Sequence, residues 1–320
     1  MSFNLAAVHE AIAEAFPERE AVVFRDRRLT CRELEDRTRR LGNVLLERGL
    51  GCHRERDQLE HWESGQDHLA LYLYNGNEYL EGMLGAYKAR VAPFNVNYRY
   101  VEEELVYLLN NARARAIVYH AEFAPHVAAI RSQVPSLEVF LQVADDSGEP
   151  LLDGALWYEE ALAAASPERP DVEWSPDDLY ILYTGGTTGM PKGVLWRQAD
   201  ILVAALGGRS PEDGHVLASL DEYVERAEAG GGATRSLPSP PFMHGAGHWI
   251  ALNTLNSGNT VVIQNDVRRL DPADVWSTVV RERVTMLLIV GDAFARPLVD
   301  HLREHDVGDL SCLQVIISGG

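Results

Sequence analysis

The chain has 320 residues, of which 46% are hydrophobic and 24% are charged, and its formal net charge is −19. This composition is typical of a globular protein with one large or two medium domains. The negative charge disfavours nucleic acid and anionic lipid as partners, and the sequence has no apolar run of the roughly 20 residues that a transmembrane helix needs. The cysteines lack metal-ligand spacing, so free thiols and a cytoplasmic location are expected.

The first half of the chain alternates between predicted helices and strands. Helices are predicted at residues 4–16, 34–48, 78–90, 101–112 and 124–133, and strands at 21–24, 29–31, 69–74, 116–119 and 137–143. Thr30 and Glu33 have the spacing of a capping box, which marks the start of the second helix. Repeated strand–helix units predict a largely parallel sheet with helices on both faces.

Two segments of the first half are predicted to be irregular. Residues 51–68 are highly charged and have no apolar stripe, and the spacing of their three histidines fits no helix face or zinc finger, so a solvated loop is expected rather than a metal site. Residues 165–176 contain three prolines and read as a linker. The linker divides the chain into a first α/β subdomain, 1–170, and a second, 171–320.

The most informative stretch is Tyr183–Gly193, which reads YTGGTTGMPKG. It follows a predicted buried strand, Leu179–Tyr183, and precedes Val194–Leu206, which is predicted to be helical. Glycines leave backbone amides open to an anion, threonine hydroxyls bond phosphate oxygens or a metal ion, and a lysine adds positive charge. These groups come from Thr184, Gly185, Gly186, Thr187, Thr188, Gly189 and Lys192.

This stretch matches neither of two common nucleotide-binding motifs. A Walker A loop has its lysine directly after the last glycine, whereas Met190 and Pro191 intervene here, and the dinucleotide-binding GxGxxG pattern does not fit. A generic glycine and threonine cluster would be a flexible turn between two elements. Because eleven specified positions are much harder to obtain by chance, we interpret the stretch as a cradle for a triphosphate.

The stretch resembles the phosphate-binding signature of the adenylate-forming superfamily, which includes acyl-CoA synthetases, peptide-synthetase adenylation domains and firefly luciferase. The family usually has serine where Gly186 stands. The resemblance implies an α/β fold of two stacked subdomains with largely parallel sheets, the N-terminal domain of an adenylate-forming enzyme, truncated and without its C-terminal domain. It also implies that the loop holds the phosphates of ATP, with Lys192 as a catalytic residue and Thr184 in the shell of Mg²⁺.

Two further stretches resemble motifs of the same family. Pro238–Gly245 is similar to a second signature, in which a proline-rich turn delivers a histidine, here His244, to the acyl pocket and the adenylate. Gly319 and Gly320 resemble the start of the adenine-binding motif, which places them along the adenine ring. Apolar residues that would suit a bulky acid in the pocket, or serve equally as core, are Phe242, Met243, Ala246, Trp249 and Ile250.

The remaining predictions for the second half concern its elements. Residues 207–236 are predicted to be a long polar loop, and Asp271 is predicted to cap a helix that runs to about Arg283. Strands are predicted at 260–263, 284–290 and 313–317. Asp292 is predicted to be the N-cap of a further helix rather than a catalytic acid.

The resemblance is strongest to actinobacterial fatty-acyl and sterol-side-chain CoA ligases. It implies an enzyme that uses ATP, Mg²⁺ and coenzyme A to activate a hydrophobic carboxylic acid and make its thioester. Small molecules are therefore the expected partners, and self-association as a homodimer is left open. The alternatives are an adenylation domain that loads a carrier protein, a nucleotide- or acyl-binding module without activity, and a scaffold that uses only its surface.

Overall fold

A computed structural model of the chain describes residues 3–186, 189–210 and 212–319. The strands are β1 (Glu20–Phe24), β2 (Arg27–Thr30), β3 (His68–Tyr72), β4 (Ala92–Asn95), β5 (Ala114–His120), β6 (Val139–Val143), β7 (Leu156–Trp157), β8 (Leu179–Gly186), β9 (Gly189–Arg197), β10 (Arg235–Pro238), β11 (Thr260–Ile263), β12 (Met286–Ile289) and β13 (Val315–Ser318). The helices are α1 (Leu5–Ala15), α2 (Cys31–Glu47), α3 (Asn77–Lys88), α4 (Glu102–Asn111), α5 (Ala124–Ile130), α6 (Tyr158–Ala164), α7 (Gln198–Ala204), α8 (Leu220–Gly230), α9 (Gly245–Asn256), α10 (Pro272–Glu282) and α11 (Gly291–Glu304).

The chain forms two compact units that interleave along the sequence. The first unit comprises Met1–Ala7, Asp36–Leu73 and Glu81–Ile201. The second comprises Val8–Glu35, Tyr74–Leu80 and Leu202–Gly320. The predicted division into subdomains 1–170 and 171–320 stays a prediction.

The first unit contains a five-stranded sheet in the order β4-β3-β5-β6-β7, and every neighbouring pair is parallel. This confirms the parallel sheet that the alternating elements predict. Four of the five residues of β3 are buried, as expected for a strand covered on both faces. The unit also holds β8 and β9, which pair with each other in antiparallel fashion.

The second unit contains a six-stranded sheet in the order β13-β12-β10-β11-β1-β2. Its pairs are parallel except for the hairpin of β1 and β2. Apolar side chains of four of these strands pack with α10 and α11 into one core. The Trp276 indole of α10 is buried there and donates a hydrogen bond of 3.0 Å to the Leu298 carbonyl of α11.

Two local predictions are confirmed by hydrogen bonds at helix starts. The Thr30 amide donates to the Glu33 carboxylate at 2.8 Å, and the Glu33 amide donates to the Thr30 hydroxyl at 3.2 Å, which is the predicted capping box. The Asp271 carboxylate accepts hydrogen bonds from the amides of Ala273 and Asp274 at the start of α10. Side chains at the N-cap thus fix the first turn of both helices.

Replacing Asp271 with alanine should destabilise the protein by about 1 kcal/mol, because two amides at the start of α10 lose their acceptor. The free energy of unfolding in urea measures this loss. Asp292→Ala is the matched control, since the Asp292 side chain is 81% exposed and forms only a 3.4 Å ion pair with Arg296. We expect the control to change stability by less than about 0.5 kcal/mol. An equal loss in both variants would contradict the capping role.

Two sequence predictions, one near β9 and one at the start of α11, are wrong. Val194–Arg197 is strand rather than helix, because Val194, Leu195 and Trp196 pair across the hairpin with Leu182, Ile181 and Tyr180. Only Gln198–Ala204 of the predicted helix is helical. Asp292 is not the N-cap of α11, which is Val290, and it lies in the first turn instead.

The predicted long loop at 207–236 contains a helix, α8. The Ser219 hydroxyl accepts a hydrogen bond from the Glu222 amide at its start, and Gly231 ends it with a φ of +61°. The glycine run that suggested a loop is therefore a helix terminus. Residues 51–68, by contrast, are mostly irregular as predicted, with a single short 3₁₀ helix at Arg56–Gln58 among them.

Candidate functional site

The glycine- and threonine-rich stretch lies in the hairpin of β8 and β9 rather than between a strand and a helix. Thr184 on β8 pairs with Lys192 on β9, and Gly186 pairs with Gly189. Residues that face each other in an antiparallel pair project from the same side of the sheet. The pairing therefore places the Thr184 hydroxyl and the Lys192 ammonium on one face of the hairpin.

Four of the predicted phosphate-binding residues are open to solvent. Thr184, Gly185, Gly189 and Lys192 are all exposed. Gly189 has a φ of +156°, which a residue with a side chain rarely adopts, and a Cβ at Gly185 would meet no atom within 4 Å. Backbone amides at these glycines can thus be approached closely by an anion. Thr187 and Thr188 lie outside the described residues.

Lysine is rare in this chain. The sequence has two lysines, Lys88 and Lys192, although Lys and Arg together number 29. Lys88 is fully buried, and its ammonium lies 5.9 Å from the centre of the Trp174 ring. Both lysines lie within the described residues, and Lys192, the exposed one, is on the hairpin of β8 and β9.

Asn95, at the end of β4, holds the base of the hairpin. Its side-chain oxygen accepts from the Tyr183 amide at 2.8 Å, and its side-chain nitrogen donates to the Tyr183 carbonyl at 2.9 Å. The Tyr183 hydroxyl donates to the Asn111 side chain at 2.7 Å, and burial raises the pKa of Tyr183 to about 12. Tyr183 also packs over Gly193, where a Cβ would lie 2.9 Å from its ring. These contacts fix the strand that leads into the glycines.

The proline-rich stretch forms a turn in the second unit, directly before α9. Phe242 and Met243 are buried, so they belong to the core, while Ala246, Trp249 and Ile250 are half-buried. His244 is exposed and is the N-cap residue of α9. A Cβ built on Gly319 would lie 4.0 Å from Ala246, so the structure brings the end of β13 beside the start of α9. Gly320 lies outside the described residues.

Three polar residues that support these segments are missed by the sequence analysis: Asn75, Asn95 and His248. Each is buried, and each bonds backbone groups of one of the two signature stretches. The one available sequence signal is an asparagine at the end of a buried strand, as at Asn95, because such a polar side chain needs a nearby backbone partner.

His248 is fully buried, and burial lowers its pKa from 6.5 to about 4. The folded state therefore favours neutral His248, so its contribution to stability is present above pH 6.5 and is lost as the pH falls toward 4. We expect the wild type to lose about 2 to 3 kcal/mol more than His248→Asn between about pH 7 and about pH 4.5. Urea unfolding at both pH values measures the difference. Parallel losses in the two proteins would show that His248 does not titrate as argued.

Groups of three or more histidine, cysteine, aspartate or glutamate side chains able to hold a metal ion do not occur among the residues that the structure describes. Thr184 is exposed on the hairpin, and its role toward Mg²⁺ stays a prediction. Within residues 3–186, 189–210 and 212–319, no helix combines the length and the apolar character that crossing a membrane requires.

A hairpin that exposes glycine amides, a hydroxyl and a lysine, in a chain built on parallel sheets, is typical of enzymes that bind a nucleotide through its phosphates. The sequence model described as AMP-binding enzyme matches residues 9–320, and the chain belongs to that family. Membership confirms the resemblance found in the sequence.

Several relatives are CoA ligases by name. The chain is 51% identical over 319 residues to the medium-chain acyl-CoA ligase Mig of Mycobacterium avium. The match covers 100% of this chain and 58% of that protein. It is 37% identical to a medium/long-chain-fatty-acid–CoA/3-oxocholest-4-en-26-oate–CoA ligase of Mycobacterium tuberculosis, over 99% of this chain and 55% of that protein. The chain thus spans somewhat more than half the length of these relatives.

Two solved structures have a similar fold. The N-terminal domain of FACL13 from Mycobacterium tuberculosis matches with a TM-score of 0.73 at 24% identity, over 99% of this chain and 70% of that one. The anthranilate CoA ligase AuaEII matches with a TM-score of 0.77 at 21% identity, over 99% of this chain and 55% of that one. The predicted fold, that of the N-terminal domain of an acyl-CoA ligase, is confirmed.

Proposed function

We propose that the chain serves an ATP-dependent acyl-CoA ligase that activates a hydrophobic carboxylic acid, such as a fatty acid or a sterol side chain. In the first step a carboxylate oxygen attacks the α-phosphorus of ATP, acyl-AMP forms and pyrophosphate leaves. In the second step the thiol of coenzyme A attacks the acyl carbon, AMP leaves and the thiol proton is released. The observation that carries the proposal is the pairing of Thr184 with Lys192 on an exposed glycine-rich hairpin.

The proposed role of the hairpin is to stabilise the negative charge of the phosphates. Two anions must approach each other in the first step, and negative charge builds up on the departing pyrophosphate. Lys192 offers a positive charge to that group in a chain whose net charge is −19. The amides of Gly185, Gly186 and Gly189 and the hydroxyls of Thr187 and Thr188 donate hydrogen bonds to the phosphates, and the Thr184 hydroxyl completes the shell of Mg²⁺.

The proposal also assigns roles to His244, Gly319 and Gly320. We propose that His244, which is exposed at the start of α9, acts on the acyl-adenylate and that Gly319 and Gly320 contact the adenine ring. Half-buried Trp249 and Ile250 suit an apolar acid, which agrees with the names of the relatives. The proposed enzyme acts on small molecules in the cytoplasm. A homodimer is its proposed oligomeric form.

The experiment combines calorimetry with isotope exchange on the 320-residue chain. ATP binding is measured with and without Mg²⁺, and exchange of labelled pyrophosphate into ATP is measured with medium-chain, long-chain and sterol side-chain acids. Exchange that depends on an apolar acid supports adenylation. Binding of ATP without exchange favours a nucleotide-binding module, and failure to bind ATP in either condition contradicts the nucleotide site itself.

Transfer to the final acceptor is tested separately. Acyl-CoA formation from a pre-formed acyl-adenylate supports the ligase. Acylation of a phosphopantetheinyl carrier protein, with free coenzyme A left unused, favours the alternative of an adenylation domain that loads a carrier.

A further inference from the structure

The backbone of the turn before α9, residues 239–242, forms hydrogen bonds with other backbone groups and with buried side chains. The amide of Ser239 donates to the Leu288 carbonyl of β12, and the amide of His244 donates to the Pro241 carbonyl. The other polar groups of the turn backbone bond to buried side chains: the Ser239 carbonyl to Gln264 at 2.9 Å, the Pro240 carbonyl to Asn75 at 3.0 Å, the Phe242 amide to Asn75 at 2.6 Å and the Phe242 carbonyl to His248 at 2.6 Å.

Asn75 uses both ends of its side-chain amide on this turn. The nitrogen donates to the Pro240 carbonyl and the oxygen accepts from the Phe242 amide, so one side chain binds two backbone groups that lie two residues apart. Asn75 is 3% exposed. A buried amide with a donor and an acceptor both in use has one orientation, because turning it over would place like groups against each other.

His248 binds the same turn from α9. Its Nδ1 donates to the Phe242 carbonyl, its ring stacks on Tyr79 with centres 6.2 Å apart, and Tyr79 meets the Phe242 ring edge-on at 5.7 Å. Because burial lowers its pKa, His248 stays neutral at physiological pH and carries no proton to a substrate. Its contribution at that pH is the hydrogen bond and the ring contact.

Gly247 lets the helix lie this close to the turn. A Cβ at this position would lie 2.8 Å from the carbonyl oxygens of Pro240 and Pro241, so a side chain there would push the helix away. The start of α9 is therefore fixed against the turn by close backbone packing, and His244 lies between the two.

We propose that Asn75 and His248 are positioning residues that fix the orientation of His244 by holding the turn from Ser239 to Phe242. The inference rests on the proposed function, in which His244 faces the acyl-adenylate. The two residues act through the backbone of the turn, and neither contacts the substrate. A shift of about 1 Å in a group that acts in a reaction costs up to about 100-fold in rate.

Asn75→Ala removes both hydrogen bonds to the turn, and Asn75→Asp retains the acceptor for the Phe242 amide while losing the donor. Asn256→Ala is the matched control, because Asn256 is an equally buried asparagine on α9 that donates to the Leu206 carbonyl, away from the turn. We expect acyl-adenylate formation to slow at least about tenfold in Asn75→Ala and less in Asn75→Asp. ATP affinity and the control should stay within about twofold of the wild type.

For His248, the pair is His248→Leu and His248→Asn, of which only asparagine offers a donor near the position of Nδ1. Recovery of the rate in His248→Asn relative to His248→Leu supports a role through the Phe242 carbonyl. Equal rates in these two variants, or an Asn75→Ala rate equal to that of the control, would overturn the proposal even where the wild type is active.

A second measurement does not depend on activity. The ring resonances of His244 are followed by NMR in the wild type, Asn75→Ala and Asn256→Ala, with thermal melts to confirm that each is folded. We expect the His244 resonances to move or broaden only in Asn75→Ala. If the wild type makes no adenylate, the proposed function fails while this test still decides the positioning role. Unchanged His244 resonances in folded Asn75→Ala would overturn the inference.

Discussion

Replacing Lys192 with alanine should slow adenylate formation by about 100-fold while changing the affinity for the carboxylic acid by less than about twofold. Lys192 lies opposite Thr184 on the exposed hairpin and adds positive charge in a strongly acidic chain. That charge acts on phosphate oxygens as pyrophosphate departs, so its loss raises the barrier more than it weakens the binding of an apolar acid.

Pre-steady-state measurement of adenylate formation, with calorimetry for the acid, separates the two effects. Arg197→Ala is the matched control, since Arg197 is an exposed cation on the same strand that pairs with Asp177 instead. We expect the control to keep the wild-type rate within about twofold, and Lys192→Arg, which retains the charge, to lose less than Lys192→Ala. Equal losses of rate and of acid affinity in Lys192→Ala would rule out the phosphate role.

Replacing Arg37 with alanine should destabilise the protein by about 3 to 5 kcal/mol, because it removes a paired guanidinium from a buried carboxylate. Arg37 on α2 lies 2.7 Å from Glu81, whose side chain has no exposed surface. In the variant, the Tyr158 hydroxyl remains as a donor to Glu81, at 2.8 Å. A neutral hydrogen bond of this kind does not replace an ion pair with two hydrogen bonds.

The matched control lies one residue earlier on the same helix. Asp36 forms an ion pair with Arg40 at the same distance of 2.7 Å, but its side chain is 43% exposed. Asp36→Ala should therefore cost less than about 1 kcal/mol. The free energies of unfolding of the two variants in urea compare two ion pairs of equal length whose carboxylates differ in burial. Similar losses would mean that burial of Glu81 does not set the strength of its ion pair.

Local sequence signals predict much of the fold. The strand at 260–263 coincides with β11, and the N-cap at Asp271 and the capping box at Thr30 are found as predicted, because each depends on residues within one turn of chain. The parallel sheet follows from the alternation of elements over a longer stretch. These features need no knowledge of tertiary contacts.

The predictions that fail depend on contacts made far along the chain or on competing local signals. Val194–Arg197 is strand because it pairs with β8, and that pairing overrides a moderate helical pattern. The glycine run near residue 231 ends a helix that the polar composition of 207–236 concealed. Helix C-termini and flexible loops use the same residue types, so composition alone does not distinguish them.

The candidate site also has residues that the sequence predicts and contacts that it does not. The motif residues Thr184, Lys192 and His244 are apparent in the sequence because they occur in recognisable runs. Asn75 lies 165 residues from Pro240 in sequence, and Asn95 lies 88 residues from Tyr183. No local pattern connects such pairs, so these contacts to the signature stretches emerge only from the structure.

Because the two lysines differ in exposure, the hairpin can be labelled selectively. Since Lys88 is buried and Lys192 is exposed, an amine-reactive reagent should modify one lysine side chain in the folded protein, in addition to the N-terminal amine. Peptide mapping after brief acylation would therefore report on the hairpin almost alone. Protection of Lys192 by a nucleotide would give its binding curve without a reporter group introduced by mutation.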